Sequence, residues 1–177
     1  MWNKLFSNRT LVLILSILLI SSFLKIWQFW QFPVGFHPDE EMYVSAAYSL
    51  FTTGTDLSGT WNPTSLLPFH PMFAELPVFF TAIGYLFSSN ALIAGRLATL
   101  FMGCTLPLLF YALGRQLFKQ KQFALVLFIV ACFNPWFWQE SRFAFDVMYG
   151  IWFYLAGSVA LLSKHPKLRL LAFPLFA

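Results

Sequence analysis

The sequence predicts an all-α, polytopic membrane protein. Of its 177 residues, 59% are hydrophobic and 10% are charged, whereas soluble proteins average about 25% charged residues. Several apolar runs are long enough to cross a hydrocarbon core of about 30 Å as helices. Connectors rich in Lys and Arg alternate with connectors that hold the acids, which is typical of oriented membrane proteins. This composition does not favour a water-soluble single core.

Four runs are predicted to span the membrane, and a fifth begins near the end of the chain. They cover about residues 10–32, 91–113, 123–138 and 146–162, with the fifth from residue 168. Basic residues precede the first run, as in a signal peptide, but no cleavage site of small residues follows it. We therefore expect a retained first span and treat residues 1–177 as one module whose last run is cut off.

The basic residues predict the orientation of this module. They lie before the first predicted span, between the second and third, and after the fourth: Lys4, Arg9, Arg115, Lys119, Lys121, Lys164, Lys167 and Arg169. Because Lys and Arg are retained on the cytoplasmic side, we expect the N-terminus inside a multi-pass protein of a plasma or inner membrane. The seven acids then lie on or near the outer face. The cations form no single patch, so nucleic acid is not an expected partner.

A long outer loop is predicted over residues 33–90, since most connections have only about 4 to 6 residues. Pro38 followed by Asp39, Glu40 and Glu41 is typical of a helix start, because carboxylates stabilise the positive end of the helix dipole. Glu41 is expected to be solvated. The loop is therefore predicted to begin with a helix that has three acids in its first turn.

This loop helix is predicted to run to Thr53 and to stop at Gly54. It carries an apolar stripe at helical spacing, formed by Tyr43, Ala46, Ala47 and Leu50. Such a stripe is suited to lying on a membrane surface. A second apolar segment, 76–87, is too short to span and is predicted to be another interfacial helix.

Asp39 and Glu40 are the candidate catalytic residues. Neighbouring helix positions project about 100° apart, so one carboxylate would do proton chemistry while the other orients or binds. The alternative is that both acids only cap the helix and stay solvated.

Other chemistries leave no signal in the sequence. We find no nucleotide fingerprint, P-loop, metal-spaced His or Cys set, or nucleophile elbow, and we assign no cofactor or metal; dependence on a divalent cation stays open. Cys104 and Cys132 are expected to be small buried hydrophobes. Membrane-embedded or lipid-borne substrates are the natural chemistry for such a chain.

Several motifs occur in an informative order. After the first predicted span comes Pro-x-Gly-x-His-Pro-Asp-Glu at residues 33–40, and the helix ends in Thr-Gly-x-Asp. Further along lie Arg96-Leu97, Leu113-Gly114-Arg115, Asn134-Pro135-Trp136, and Ser141-Arg142 followed by Asp146. This order, over nearly the whole chain, resembles the N-terminal part of membrane glycosyltransferases of the C-type fold. The similarity is to the protein O-mannosyltransferase-like and aminoarabinose-transferase-like group.

The resemblance implies inverting transfer of a hexosyl or pentosyl group from a polyprenyl-phosphate carrier to an acceptor on the outer face. The acceptor class stays open between protein, lipid and glycan. Asp39 matches the family's catalytic acid, and as a general base it would contribute about 10²- to 10⁴-fold. Relatives are several hundred residues long, so we expect the isolated chain to be inactive.

The leaving phosphate of such a donor needs a cation. Relatives often carry a Lys-Pro pair near the end of the loop, where this chain has Glu75. Arg142 and Arg96 are the remaining candidates. Alternatively, Arg96 extends to the lipid head groups and Arg142 pairs with Glu140 or Asp146.

Asp146 and His37 are further candidate substrate contacts. His37 and His70 both flank a proline, and ordinary hydrogen-bonding histidines are the alternative to a substrate role. Lys25, late in the first predicted span, is expected to reach the outer interface.

Trp136, Trp138 and Trp152 fit an interfacial aromatic belt better than a sugar-stacking platform.

Two other functions remain open, a transporter and an inactive scaffold. A transporter would place its acids within spans near the midplane, whereas here they gather at span ends and in a loop. The other alternative is an inactive, truncated scaffold.

Overall fold

The computed structural model describes residues 8–61, 74–118 and 120–176, and every regular element in these ranges is an α-helix. The helices are α1 (Asn8–Ile26), α2 (Pro38–Thr53), α3 (Glu75–Gly84), α4 (Ala91–Leu117), α5 (Lys121–Phe133), α6 (Pro135–Glu140), α7 (Asp146–Leu161), α8 (Pro166–Leu170) and α9 (Ala172–Phe176). The all-α prediction is therefore confirmed.

Helix α4 is the centre of the fold, because α1, α2, α3, α5, α6 and α7 all pack against it. It has 27 residues and contains an 18-residue stretch with a mean hydropathy of 1.7, so its length and composition allow it to cross a membrane. Helices α1, α3, α5 and α7 are apolar but shorter. Of the helices in the described ranges, α4 alone meets both conditions, whereas the sequence predicted four complete spans.

Two predicted spans end earlier than expected. The first, over 10–32, is helical only to Ile26, and turns follow it. The third, over 123–138, breaks at Asn134, whose side-chain oxygen accepts hydrogen bonds from the amides of Trp136 and Phe137 at 2.9 and 3.2 Å. Asn134 therefore caps a new helix, α6, in which Pro135 is the first residue.

The predicted fifth span is also replaced by shorter elements. The chain from Pro166 forms α8 and α9, which have five residues each. Helix α9 packs against α7. A hydropathy run alone does not distinguish such a folded-back pair of short helices from the start of a span.

The apolar stripe of α2 lies in a protein core, and its predicted contact with the membrane surface is wrong. Tyr43, Ala46 and Ala47 are buried, and Leu50 packs beside them. Their partners come from α3, α4 and nearby segments: Val78, Ala82, Tyr85, Ala94, Ala144 and Trp61. Glycine allows this close packing, since a Cβ at Gly95 would lie 2.5 Å from the Val44 side chain.

Two further core clusters join α4 to its other neighbours. One contains Ile14 of α1 and Phe128 of α5, and the other contains Leu106 of α4 and Met148 of α7. Trp152 packs against the second cluster, and its indole N–H donates to Thr105 Oγ1 at 2.9 Å. Thr105 lies in the middle of α4, so Trp152 is not part of an aromatic belt at the helix ends.

Lys25 is buried at the end of α1, and its predicted reach to the outer interface is wrong. Its side chain has 0% exposure. Nζ donates to the Cys132 carbonyl at 3.1 Å, while the free thiols of Cys132 and Cys104 are buried and half-buried. The amine therefore ties α1 to the end of α5.

Candidate functional site

Asp39 and Glu40 project in different directions, as the helical geometry predicted. Glu40 is fully buried and receives two hydrogen bonds from Arg96, with Nε at 2.7 Å from Oε1 and Nη2 at 3.0 Å from Oε2. The Ala144 amide donates to the same Oε1 at 3.1 Å. Glu40 is thus fixed in a bidentate ion pair, the strong form of charged hydrogen bonding.

Arg96 is also fully buried, so its predicted extension to the lipid head groups is wrong. Besides Glu40, its guanidinium binds three carbonyl oxygens. Nη1 donates to Phe29 at 3.0 Å and to Pro33 at 3.1 Å, and Nη2 donates to Gly35 at 2.7 Å. Every nitrogen of this guanidinium is engaged, which argues against its predicted contact with a substrate phosphate.

Arg142 is engaged in a similar way, at the end of α1. It binds neither Glu140 nor Asp146; instead, its partners are backbone carbonyls. Nε donates to Lys25 at 3.1 Å, Nη1 to Phe32 at 3.3 Å, and Nη2 to Leu24 at 3.2 Å and to Trp27. Arg142 therefore caps the C-terminal end of α1 and makes neither the predicted ion pair nor a contact left free for a phosphate.

Besides its carbonyl partners, Arg142 has an aromatic ring and a second arginine nearby. Its guanidinium carbon lies 4.0 Å from the centre of the Trp138 ring, which is a favourable cation–π distance. Burial, and then repulsion by Arg96, lower the pKa of the Arg142 guanidinium from its usual value.

Together the two arginines hold the segment between α1 and α2. Arg142 binds carbonyls at residues 24–32, and Arg96 binds carbonyls at residues 29–35. This segment leads directly into His37 and Asp39. The two guanidiniums therefore position the start of α2.

Asp39 stays open to solvent at that start. Its side chain is 68% exposed, and its Oδ2 lies 3.7 Å from Nδ1 of His37. His37 is the N-cap residue of α2, and its Nδ1 accepts the Asp39 amide proton at 3.4 Å. The His37 ring meets Phe145 edge to face at 5.1 Å. His37 thus makes ordinary hydrogen bonds, while His70 lies outside the described residues.

Tyr43 lies beside Asp146, which is far from it in sequence, and one helical turn after Asp39. Tyr43 follows Asp39 by one helical turn, and its ring is buried. Burial first, and then the Asp146 carboxylate, raise the pKa of the Tyr43 phenol, while a hydrogen bond with the Ala74 backbone lowers it. Asp39 also raises this pKa. The Tyr43 hydroxyl is therefore within hydrogen-bond reach of Asp146, and Asp39 acts on it only through its charge.

Tyr43 was not predicted as a site residue, although its spacing from Asp39 was visible in the sequence. Its place in the apolar stripe explained why the ring is buried, but it indicated no role for the hydroxyl. The position of Asp146, as the first residue of α7, required the tertiary structure.

A cavity of about 470 Å³ lies beside Asp146, between α3, α7 and α9. This volume falls in the range of small-molecule sites. Its walls are mostly apolar: Ala74, Leu76, Pro77, Tyr149, Gly150, Phe153, Tyr154, Pro174, Leu175 and Phe176. The Tyr149 ring lines the cavity, while its hydroxyl is buried on the side of Thr81 and does not face a ligand.

The arrangement suits proton transfer at the edge of an apolar cavity. Asp39 is an accessible carboxylate, and Asp146 is a second one held beside a tyrosine. Within the described ranges, no three His, Cys, Asp or Glu side chains gather closely enough to hold a metal ion. Comparisons with known proteins add no family: no family description, curated protein or solved structure matches this chain.

Proposed function

We propose that this chain belongs to an integral-membrane glycosyltransferase that moves a sugar from a polyprenyl-phosphate carrier to an acceptor on the outer face. The observation that carries the proposal is that two adjacent acids have opposite environments, one buried and one exposed. Glu40 is buried against Arg96, while Asp39 is 68% exposed and has only a histidine 3.7 Å away. A general base needs such an open carboxylate within reach of the acceptor.

The reaction assigned to Asp39 is proton acceptance. The acceptor hydroxyl attacks C1 of the sugar as its proton passes to the Asp39 carboxylate. The bond from C1 to the carrier phosphate oxygen breaks, and its electron pair leaves with the phosphate. Attack from the face opposite the leaving group inverts the anomeric carbon.

Charge and length support placement of the protein across a membrane. Arg96 and Arg115 are 19 positions apart on α4, which corresponds to about 28 Å along a helix and to the thickness of a bilayer core. The acids near Arg96 and the cations near Arg115 therefore lie at opposite ends of α4.

The protein surface between the Arg96 end and the Arg115 end of α4 is apolar. Large side chains that face outward include Leu19 on α1, Phe101 on α4 and Val130 on α5, with exposures of 70%, 64% and 57%. Water does not favour so much exposed apolar area, whereas lipid does. In this placement α1, α5 and α7 cross most of the membrane beside α4, with the N-terminus in the cytoplasm.

The cavity that Asp146 lines suits an apolar ligand. Its walls suit a hydrocarbon chain, and its volume of about 470 Å³ suits part of a polyprenyl carrier. Arg96 and Arg142 are already occupied by carboxylate and carbonyl partners. We therefore assign the phosphate contact to neither arginine.

A transporter is the second candidate, and the buried Lys25 is the observation that favours it. An ionisable group within a span is often functional, and Lys25 is fully buried and donates to the Cys132 carbonyl. If the protein is a transporter, Lys25→Met should abolish solute movement into vesicles. If it is a transferase, this variant should affect stability and leave the chemical step intact.

The test of the proposed function is sugar transfer by the full-length protein reconstituted in vesicles with a polyprenyl-phosphate sugar. Asp39→Asn keeps the size of the side chain and removes the proton acceptor, so kcat should fall by about 10² or more. Donor binding should persist. Glu41→Gln is the matched control, because Glu41 is exposed on the same helical turn. Wild-type turnover in Asp39→Asn would remove Asp39 from the base role.

A further inference from the structure

We propose that the cavity between the C-terminal ends of α4 and α7 binds an anionic phospholipid, with the lipid phosphate between Arg115 and Lys164. This site lies at the end of α4 opposite the acids and is separate from glycosyl transfer. It rests on the proposed placement of the protein in a membrane.

The cavity has a volume of about 830 Å³. Its walls are formed by residues 109–118 of α4 and the adjoining turn, by 156–162 of α7 and its end, and by 163–168. Small side chains leave the space open, since Ala112, Ala156 and Ala160 are among the lining residues. The Gln116 side chain donates to the Val159 carbonyl at 3.0 Å, which holds the two helices together across the cavity.

The rim of the cavity is cationic. Arg115, Lys164 and His165 line it, and both Lys164 and His165 are exposed. The ion pairs found in the described ranges involve Glu40 and Asp39, at the other end of α4. The charges of Arg115 and Lys164 are therefore not neutralised by an acid of this region.

The third nearby cation, Arg169, shapes the site instead of binding at it. Its Nε donates to the Ser163 carbonyl at 2.7 Å, and the His165 amide donates to Ser163 Oγ at 3.2 Å. These bonds fix the turn after α7, which carries Lys164. Lys164 therefore lines the cavity, together with Arg115, from a turn that these bonds fix.

Cations at the mouth and apolar walls behind them match an anionic phospholipid. The phosphate would lie at the rim, and an acyl chain would lie against Leu109 and Leu168. Basic pockets between helices on the cytoplasmic side bind such head groups in other membrane proteins. An acidic peptide would use the cations but would leave the apolar walls unfilled.

The test measures lipid retained by the detergent-purified full chain, using native mass spectrometry with phosphatidylglycerol or phosphatidylcholine. We expect tighter retention of phosphatidylglycerol. The double variant Arg115→Gln/Lys164→Gln should weaken it by about 30-fold, since each cation near an anionic surface contributes roughly a factor of five. Lys121→Gln is the matched control, because it removes one exposed charge at the same end but outside the cavity.

Three results would overturn the inference. Equal retention of the two lipids would exclude selection of the charged head group, and an equal loss in Lys121→Gln would indicate a general surface-charge effect. Displacement of the lipid by millimolar glycerol phosphate would indicate a simple anion site. Because vesicle insertion and sugar transfer are measured separately, failure of lipid selection with both retained would contradict this site alone. Failure to insert would contradict the membrane placement as well.

Discussion

Glu40 and Arg96, which are 56 residues apart, form a fully buried bidentate ion pair with N–O distances of 2.7 and 3.0 Å. The pair joins the first turn of α2 to the first turns of α4. Removing two charges from water costs several kcal/mol for each, and attraction offsets this only when the remaining hydrogen bonds are made. Here Ala144 and Gly35 supply such bonds. The ion pair therefore stabilises the fold only when both charges and these additional hydrogen bonds are present.

Breaking the pair from one side should destabilise the fold. Arg96→Met leaves Glu40 buried without its cation, and the expected loss is about 3–5 kcal/mol in the free energy of unfolding. The double variant Glu40→Leu/Arg96→Met should recover part of this loss, because no charge is then left buried alone. Thermal unfolding of the purified protein in detergent measures both.

Arg115→Met is the control for that comparison, since Arg115 is only half-buried and has no ion pair among the described residues. Its unfolding midpoint should stay close to that of the wild type. An Arg96→Met protein that unfolds at the wild-type temperature would contradict the structural role of the pair.

Local signals in the sequence predicted the bounds of α2. Pro38 lies at its first turn, and Gly54 ends it with a left-handed φ of 73°, which glycine adopts readily. Both signals act within a few residues. The signal for the break between α5 and α6 was also local, because Asn134 and Pro135 are typical of a helix start. The prediction followed the continuous hydropathy of the run instead and missed this break.

Long-range partners could not be predicted in the same way. Helical geometry indicated that Asp39 and Glu40 face different directions, but Arg96 and the Ala144 amide decided which one is buried. An apolar stripe has the same pattern whether it faces lipid or α3, so the surroundings of Tyr43 required the structure. The carbonyl partners of Arg142 were invisible because backbone oxygens carry no sequence signal.

Two glycines should respond in opposite ways to the same substitution. A Cβ at Gly103 would lie 2.2 Å from the Cβ of Ser141, whereas a Cβ at Gly150 would have nothing within 4 Å. Gly103→Ala should therefore push away the turn that carries Arg142 and cost about 1–3 kcal/mol. Gly150→Ala should stabilise α7 by up to about 1 kcal/mol, because alanine favours helix.

Unfolding midpoints of the two alanine variants test this difference directly. Each variant adds one methyl group within a helix, so the change in composition is identical. A Gly103→Ala midpoint at or above that of the wild type would show that the approach of α4 to Ser141 is not as close as described, and a lowered Gly150→Ala midpoint would contradict the open space at Gly150.

The proposed orientation predicts the labelling of single cysteines. In a background with Cys104→Ala and Cys132→Ala, a membrane-impermeant thiol reagent should modify Leu57→Cys in intact cells. It should modify Lys164→Cys only after permeabilisation, because cations are retained inside. Both positions are exposed in the structure, so access within the protein is comparable. The reverse labelling pattern would invert the topology and place Asp39 inside.

Tyr43→Phe tests whether the Tyr43 hydroxyl, which lies beside Asp146, contributes to turnover. Burial and the Asp146 carboxylate raise the pKa of the phenol, so it stays protonated at neutral pH and can donate a hydrogen bond to that carboxylate. The raised pKa also means that this bond is present at neutral pH and is lost only as the pH rises through the folded-state pKa. Phenylalanine keeps the ring in the α2 core and removes the donor.

We expect Tyr43→Phe to lower kcat for sugar transfer by about tenfold or more, with a stability loss of only about 1 kcal/mol, the usual value for one hydrogen bond. Tyr48→Phe is the matched control, because Tyr48 lies on the same helix with 55% exposure. A purely structural hydroxyl would lower the unfolding midpoint and leave the kcat of the folded protein unchanged. An unchanged kcat in Tyr43→Phe, combined with a large loss in Asp39→Asn, would restrict the proton chemistry to Asp39 and assign Tyr43 to packing alone.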